Sequence, residues 1–177
     1  VHSLEDKKAM PVYSFDPIVD DRCKVLILGT MPSVMSLKKQ QYYGHERNAF
    51  WPIIFALFGQ ELVDDYNLRK RFILKHHIAV WDVLKACERE GSSDSDIREP
   101  VPNDFGGFYS SYPNIKDVCF NGGPAERLYN RFVERTSRNG TGTSENAAGN
   151  RGNGAGARNG EGARNGMGAH RFYGLPS

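Results

Sequence analysis

The sequence predicts an α/β protein, a three-layer α/β/α arrangement around a short, mostly parallel sheet. Three observations carry that expectation. Short apolar runs of β type, at Val25–Leu28, Ile78–Trp81 and Ile115–Phe120, recur along the chain. Helical patterns separate them, and strands alternating with helices imply right-handed crossovers and parallel pairing. Each run ends in small, polar or flexible residues: Gly29–Ser33, Asp82, and Asn121-Gly122-Gly123.

In chain order, residues 1–22 are polar and carry Pro11 and Pro17, so they read as an irregular lead-in. Lys24–Leu28 is the first strand, released into the turn Gly29-Thr30-Met31-Pro32-Ser33. The segment Tyr42–Trp51 follows and sets five ring side chains beside charges. A helix is expected over Asn48–Phe58, with Asn48 able to cap it, Pro52 in its first turn and Gly59 past its end. A second helix covers Asp65–His76. Ile78–Trp81 is a buried strand ending at Asp82, and Val83–Cys87 reads as helical. Gly91–Pro102 is a loop, and Asp104–Ser111 a short helix. Ile115–Phe120 is the third strand, and Pro124–Arg135 a helix with proline near its start. Arg171–Leu175 is a last short strand leading into Pro176-Ser177.

The 177 residues suit one ordinary domain, but composition is uneven. Residues 136–169 hold no Val, Ile, Leu, Phe, Tyr, Trp or Cys, and ten of these 34 positions are Gly. Within them Gly156–Glu161 and Gly162–Met167 are near repeats. Such a stretch buries too little apolar surface to offset the entropy of ordering it, so it reads as a disordered insertion. The α/β domain is therefore residues 23–135. Residues 170–177 read as a truncated last strand with the start of a further loop, and a chain that begins at Val1 reads as lacking its natural N-terminus.

Charge excludes an easy inference. Residues 1–135 carry 18 Lys and Arg against 19 Asp and Glu, so the folded part is near neutral. Any nucleic-acid surface is then a local patch, with Lys38, Lys39, His45 and Arg47 its most compact candidate. The five Arg of residues 136–177 add at most a weak, salt-sensitive attraction to phosphates. Cys23, Cys87 and Cys119 form no CxxC pair, which argues against a zinc or iron–sulfur site and suits a reducing compartment. His76-His77 reads as a solvated helix end. No apolar run approaches the about 20 residues that cross a bilayer. Neither GxGxxG nor GxxxxGK[ST] follows the first strand, which sets aside a nucleotide-binding Rossmann or P-loop enzyme.

Strand tips of a parallel sheet gather on one edge, so Gly29–Ser33, Asp82 and Asn121 point to a shared pocket. The segment Tyr42–Asn48 adds rings that stack on bases, Arg and His that meet phosphates, and an amide that can hold water or a base edge. Gly44 permits close backbone approach. Each residue also has a plainer reading. Tyr42 and Tyr43 can cover the core, Asn48 can simply cap the following helix, and Asp82 can cap a helix after the strand.

The order LILGTMPS…SL…YYGHxRNxFW resembles the first motif of the uracil-DNA glycosylase superfamily, in the branch that removes hypoxanthine from DNA. Further along, Gly91–Ile97 resembles its GSxDSxI loop, and Phe120-Asn121-Gly122 through Ala125 its FNG…A strand and helix. Leu175-Pro176-Ser177 resembles the start of an LPSTSPA loop that presses on DNA. The resemblance covers about residues 24–135. It implies a short parallel sheet and hydrolysis of the N-glycosidic bond of a base flipped from DNA, with no metal or other cofactor. Gly29–Ser33 stands at the water-activating loop, but Met31 occupies its middle position and cannot activate water. The resemblance gives that role to Asn48. It places Gly29, Thr30, Met31, Pro32, Ser33, Tyr43, Gly44, His45, Phe50, Asp82 and Asn121 around the base. Lys38, Lys39, Arg47, Pro176 and Ser177 then face DNA. The implied partner is damaged DNA, met by a monomer with no membrane attachment, in the nucleus or another DNA-containing compartment. Hypoxanthine is the implied base and uracil a second. The competing expectations are a uracil- or thymine-mismatch enzyme and a catalytically impaired DNA-binding fragment of the same fold.

Overall fold

The computed structural model describes residues 11–134 and 170–174. The insertion at 136–169 and the residues Pro176 and Ser177 lie outside the described residues.

Among the described residues, four parallel strands form the main sheet, in the order β3-β2-β6-β7. They are β2 (Val25–Gly29), β3 (Ile78–Asp82), β6 (Asp117–Phe120) and β7 (Arg171–Gly174). The central strand β2 pairs Leu28 with Trp81 on one side and with Phe120 on the other. Side chains in register on parallel strands share a face. The row Trp81, Leu28 and Phe120 packs against α4 (Phe105–Ser111) and α5 (Gly123–Tyr129). Trp81 lies 5.2 Å from the Phe105 ring and 4.7 Å from Phe108, and Phe120 lies 5.3 Å from Tyr129. The connection from β2 to β3 carries α1 (Val34–Lys39), α2 (Phe50–Leu57) and α3 (Tyr66–Lys75). Right-handed crossovers place it on the opposite face. There α2 and α3 lock through a Phe55–Phe72 stack at 4.0 Å, and α3 packs on β3.

A second, antiparallel sheet stands beside the first. It joins β1 (Pro11–Tyr13), β4 (Leu84–Glu88) and β5 (Arg98–Pro102) in the order β1-β4-β5. Three sequence expectations are corrected here. Val83–Cys87 is not helical, because its amides find distant partners: Val83 N–H donates to Gly29 O at 2.8 Å, Leu84 N–H to Thr30 O at 3.2 Å, and β1 and β5 flank the rest. Residues 98–102 are a strand rather than loop. Pro100 and Pro102 are tolerated because β5 is an edge, where a missing N–H breaks no ladder. Part of the lead-in is ordered too, as β1 and as the paired bonds between Ile18 and Val80 at 2.9 and 3.0 Å.

Helix boundaries follow their caps. Asp65 caps α3 by accepting from Leu68 N, and Asp104 caps α4 by accepting from Gly107 N. Helix α1, absent from the sequence expectation, starts at Ser33, whose hydroxyl accepts from Ser36 N. Helix α2 begins at Phe50 rather than Asn48. Beyond α5, residues 130–134 continue as a π turn.

Trp51 ties α2 to the loop before it. The indole is 2% exposed, and its Nε1–H donates to Tyr42 O at 2.8 Å. Replacing Trp51 by Phe keeps most of the packing but strands a buried carbonyl. The expected cost is about 1–3 kcal/mol, read from urea midpoints. An unchanged midpoint would show that this bond does not support the fold.

Candidate active site

The site forms where the sheet changes direction. The chain leaves β2 toward β3 and leaves β6 toward β7 on the other side. The crevice between two such strand tips is where an open α/β sheet accepts a ligand. Gly29 ends β2, Asp82 ends β3 in register with it, and Asn121 follows β6 with its N–H donating to Leu28 O at 2.8 Å.

Gly29 is held between two polar side chains. A Cβ built on it would lie 2.6 Å from Asp82 Oδ1 and 3.2 Å from the Tyr43 hydroxyl. Only glycine leaves that gap open. Asp82 is 3% exposed. Burial lifts its carboxyl from the ordinary 3.8 to about 7, against a hydrogen bond from Ser14 that favours the charged form. Ser14 Oγ donates to Asp82 Oδ2 at 2.7 Å, which leaves Oδ1 turned toward Gly29.

Tyr43 enters from the opposite loop. Its φ is +54°, a left-handed conformation that few non-glycine residues hold. The Gly44 amide after it donates to Ser36 Oγ at 3.1 Å, and Ser36 in turn bonds the Ser33 cap. That chain of bonds fixes the turn to the start of α1. A Cβ at Gly44 would press on Gln41 O at 3.2 Å and Ser36 Cα at 3.3 Å, so glycine is needed for the close approach. The Tyr43 ring stacks on Phe50 with centroids 3.8 Å apart. Phe50 is 8% exposed, so it backs Tyr43 rather than facing a ligand itself. The Tyr43 hydroxyl is buried and makes no hydrogen bond. Burial pushes the phenol well above its ordinary range, the Asp82 charge adds to the rise, and the Asn121 amide opposes it.

Asn48 lies one residue before Ala49, the N-cap of α2, and closes an Asx-type turn onto the helix start. Its Oδ1 accepts from Phe50 N–H at 2.9 Å, and its own N–H donates to His45 O at 2.9 Å. An amide oxygen has a second lone pair and the NH₂ group two donors, so the bond leaves most of the side chain's capacity unused.

Under the Gly29–Ser33 turn lies a cation that sequence reasoning passed over. The Arg89 side chain is 0% exposed, and its guanidinium donates to Pro32 O. Its Nη1 lies 3.9 Å from Asp94 Oδ1. Burial raises the Asp94 carboxyl, while the Thr30 hydroxyl and Arg89 draw it back. Ser92 Oγ accepts from Val34 N at 2.9 Å. The 89–94 segment thus clamps the turn from below. Met31, 8% exposed, packs in the core, and Pro32 is buried beside Arg89, so both shape the turn.

The remaining candidates sit apart. His45 and Arg47 are exposed and joined by a bond from Arg47 N–H to His45 Nδ1 at 3.0 Å. Lys38 and Lys39 end α1, with Lys39 3.5 Å from Glu46. A groove of roughly 870 Å³ runs between the lead-in and α3, lined by Ser14, Phe15, Tyr42, Tyr66, Lys70 and Arg71 among others. Gly29, Asn48, Asp82 and Asn121 do not line it; it meets the site at Ser14 and Tyr42. Ser14, Arg89 and Asp94 are the polar contributors that the sequence did not disclose. The GSxDSxI resemblance singled out the loop of Asp94 without giving it a contact. Among the described residues no group of three or more His, Cys, Asp or Glu is placed to hold a metal ion, and no helix is long and apolar enough to cross a membrane.

Comparison with known proteins agrees with this fold. No family model matches the chain. A hypoxanthine DNA glycosylase of Methanosarcina acetivorans is 43% identical over 109 residues, covering 61% of this chain and 69% of the relative. One of Methanosarcina barkeri is 38% identical over 114 residues, covering 64% and 72%. The solution NMR structure of a Methanosarcina acetivorans protein, described as a candidate uracil DNA glycosylase, superposes with a TM-score of 0.63 at 37% identity. That match covers 72% of this chain and 79% of the solved one. A parallel sheet with Gly29 and Asp82 at adjoining strand tips, together with relatives of this identity and coverage, places the chain in the hypoxanthine-DNA glycosylase family of the uracil-DNA glycosylase superfamily.

Proposed function

We propose that this DNA glycosylase removes deaminated bases, hypoxanthine first and uracil second, by hydrolysing the N-glycosidic bond of a nucleotide flipped out of DNA. The observation that carries the reading is the pair of polar groups flanking Gly29, a carboxylate oxygen and an unpaired phenol. Hypoxanthine and uracil share one edge, an N–H beside a carbonyl. Asp82 Oδ1 accepts from that N–H, and the Tyr43 hydroxyl donates to the carbonyl. Adenine and cytosine present the reverse order, an amino group beside a bare ring nitrogen, and are refused. Phe50 stacks on the Tyr43 ring and holds its hydroxyl at that edge. A mismatched base costs less to extrude than a paired one, which adds to selectivity.

Asn48 orients water toward the anomeric carbon. An amide is too weak a base to remove a proton early. It suits a reaction in which the bond breaks first, through an oxocarbenium-like state, and water is captured afterward. Backbone N–H groups around Gly29–Ser33, with Asn121 and His45, support negative charge on the departing base. Lys38, Lys39 and Arg47 meet backbone phosphates. The protein acts on damaged DNA as a monomer, needs no cofactor, and works in the nucleus or another DNA-containing compartment.

Base release from duplexes carrying hypoxanthine, uracil, xanthine or mismatched thymine tests the reading. Hypoxanthine is expected to leave fastest, and release of uracil alone would move the chain to the uracil-specific alternative. Binding to an inosine duplex without any release would support an inert binding module. The variant Asn48→Ala is expected to lose about 10²–10³-fold in single-turnover release of hypoxanthine while still binding the duplex. Near-normal release would remove Asn48 from the mechanism.

Asp82 makes a separate prediction about stability. Its folded pKa of about 7 lies above the ordinary 3.8, so between those values the folded protein holds the proton more tightly than the unfolded chain. Stability from this group is therefore present at acid pH and lost as pH rises through about 7. Urea melts of wild type and Asp82→Asn are expected to show the variant gaining on wild type by a few kcal/mol between pH 4 and 8, with no further change above. A constant gap would place the carboxyl in a solvated environment.

A further inference from the structure

One contact reaches the site from the segment that sequence alone reads as an irregular lead-in. Ser14 follows β1, and its N–H is anchored on Lys85 O at 2.9 Å. Its hydroxyl donates to Asp82 Oδ2 at 2.7 Å. A carboxylate has two equivalent oxygens. The Ser14 bond ends that equivalence, occupying Oδ2 and leaving Oδ1 beside Gly29. The next two residues grip the opposite half of the site: the carbonyls of Phe15 and Asp16 accept from the Tyr42 hydroxyl at 3.1 and 3.2 Å. Tyr42 directly precedes Tyr43, so three consecutive residues brace both the carboxylate and the segment that carries the phenol.

We propose that Ser14 is a positioning residue for base recognition, its hydroxyl holding Asp82 so that Oδ1 alone meets the N–H of the flipped base. This rests on the glycosylase reading above. The groups around Asp82 are Ser14 from the lead-in, Tyr42 and Tyr43 from the loop before α2, and Arg89 and Asp94 from the clamp. Burial raises the carboxyl most, the Ser14 bond lowers it, Asp94 raises it and Arg89 lowers it. A donated hydrogen bond favours the charged carboxylate, so losing it raises the pH at which Asp82 ionises. Because Oδ1 must accept, hypoxanthine release rises with Asp82 ionisation, and its rising limb moves with that ionisation.

Two readouts on the full chain test this: an NMR titration of the Asp82 carboxyl carbon, and single-turnover hypoxanthine release across the same pH range. In Ser14→Ala both the midpoint and the rising limb are expected to move up by about one pH unit, as for one hydrogen bond lost. Release at high pH, where Asp82 is fully ionised, is expected to stay several-fold below wild type, because the freed carboxylate no longer presents Oδ1 alone. Ser14→Thr, which keeps the hydroxyl, is expected to restore both. A titration midpoint that does not move, or a high-pH rate equal to wild type, overturns the proposal. A wild-type chain that releases no deaminated base fails the glycosylase reading instead, and the titration alone then decides the role of Ser14.

Discussion

Two hydrogen bonds at the end of the central strand organise the rest. Val83 and Leu84 donate to the carbonyls of Gly29 and Thr30. Through them the chain leaving β3 is drawn across the tip of β2 instead of winding into a helix. The second sheet exists because β4 is held in that direction, and β1 and β5 then add to its sides. The functional geometry follows from the same crossing. It sets Asp82 against Gly29, and it brings Arg89, which lies just past β4, under the Pro32 carbonyl.

Packing a carboxylate into that corner opposes folding, since a charge taken out of water is poorly compensated by one hydroxyl. The sheet offsets it with apolar contact on both faces. Leu26, Leu28, Val80 and Val118 are all buried, and a ladder of rings from Trp81 through Phe105 to Tyr129 fills one side. The result is a rigid floor with polar groups at one edge. A site that reads a base by hydrogen bonds needs such a floor, because a partner displaced by an ångström no longer discriminates.

The sequence disclosed the floor well and its rim in part. Strands β2, β3 and β6 were legible as apolar runs ending in small residues, since a buried parallel strand leaves that mark. Gly29, Asp82 and Asn121 could be grouped because strand tips share an edge whatever the side chains do. Strand β4 was misread, since its local pattern fits a helix and its amides bond residues far upstream. Strand β1 is too short to leave a pattern. Ser14 reads as one polar residue among many, and only the folded chain brings it against Asp82. Asn48 shows the opposite case: a local bond to the start of α2 is what its place in the sequence suggests and what the structure holds, and nothing in that bond points to chemistry.

Tyr43 shows how the two demands collide at one position. With φ at +54° its backbone sits where a side chain crowds the following carbonyl, an arrangement that costs on the order of 1 kcal/mol or more. Glycine would relieve that strain but would delete the ring stacked on Phe50. The ring stacked on Phe50 is thus held in place at the expense of the backbone that carries it.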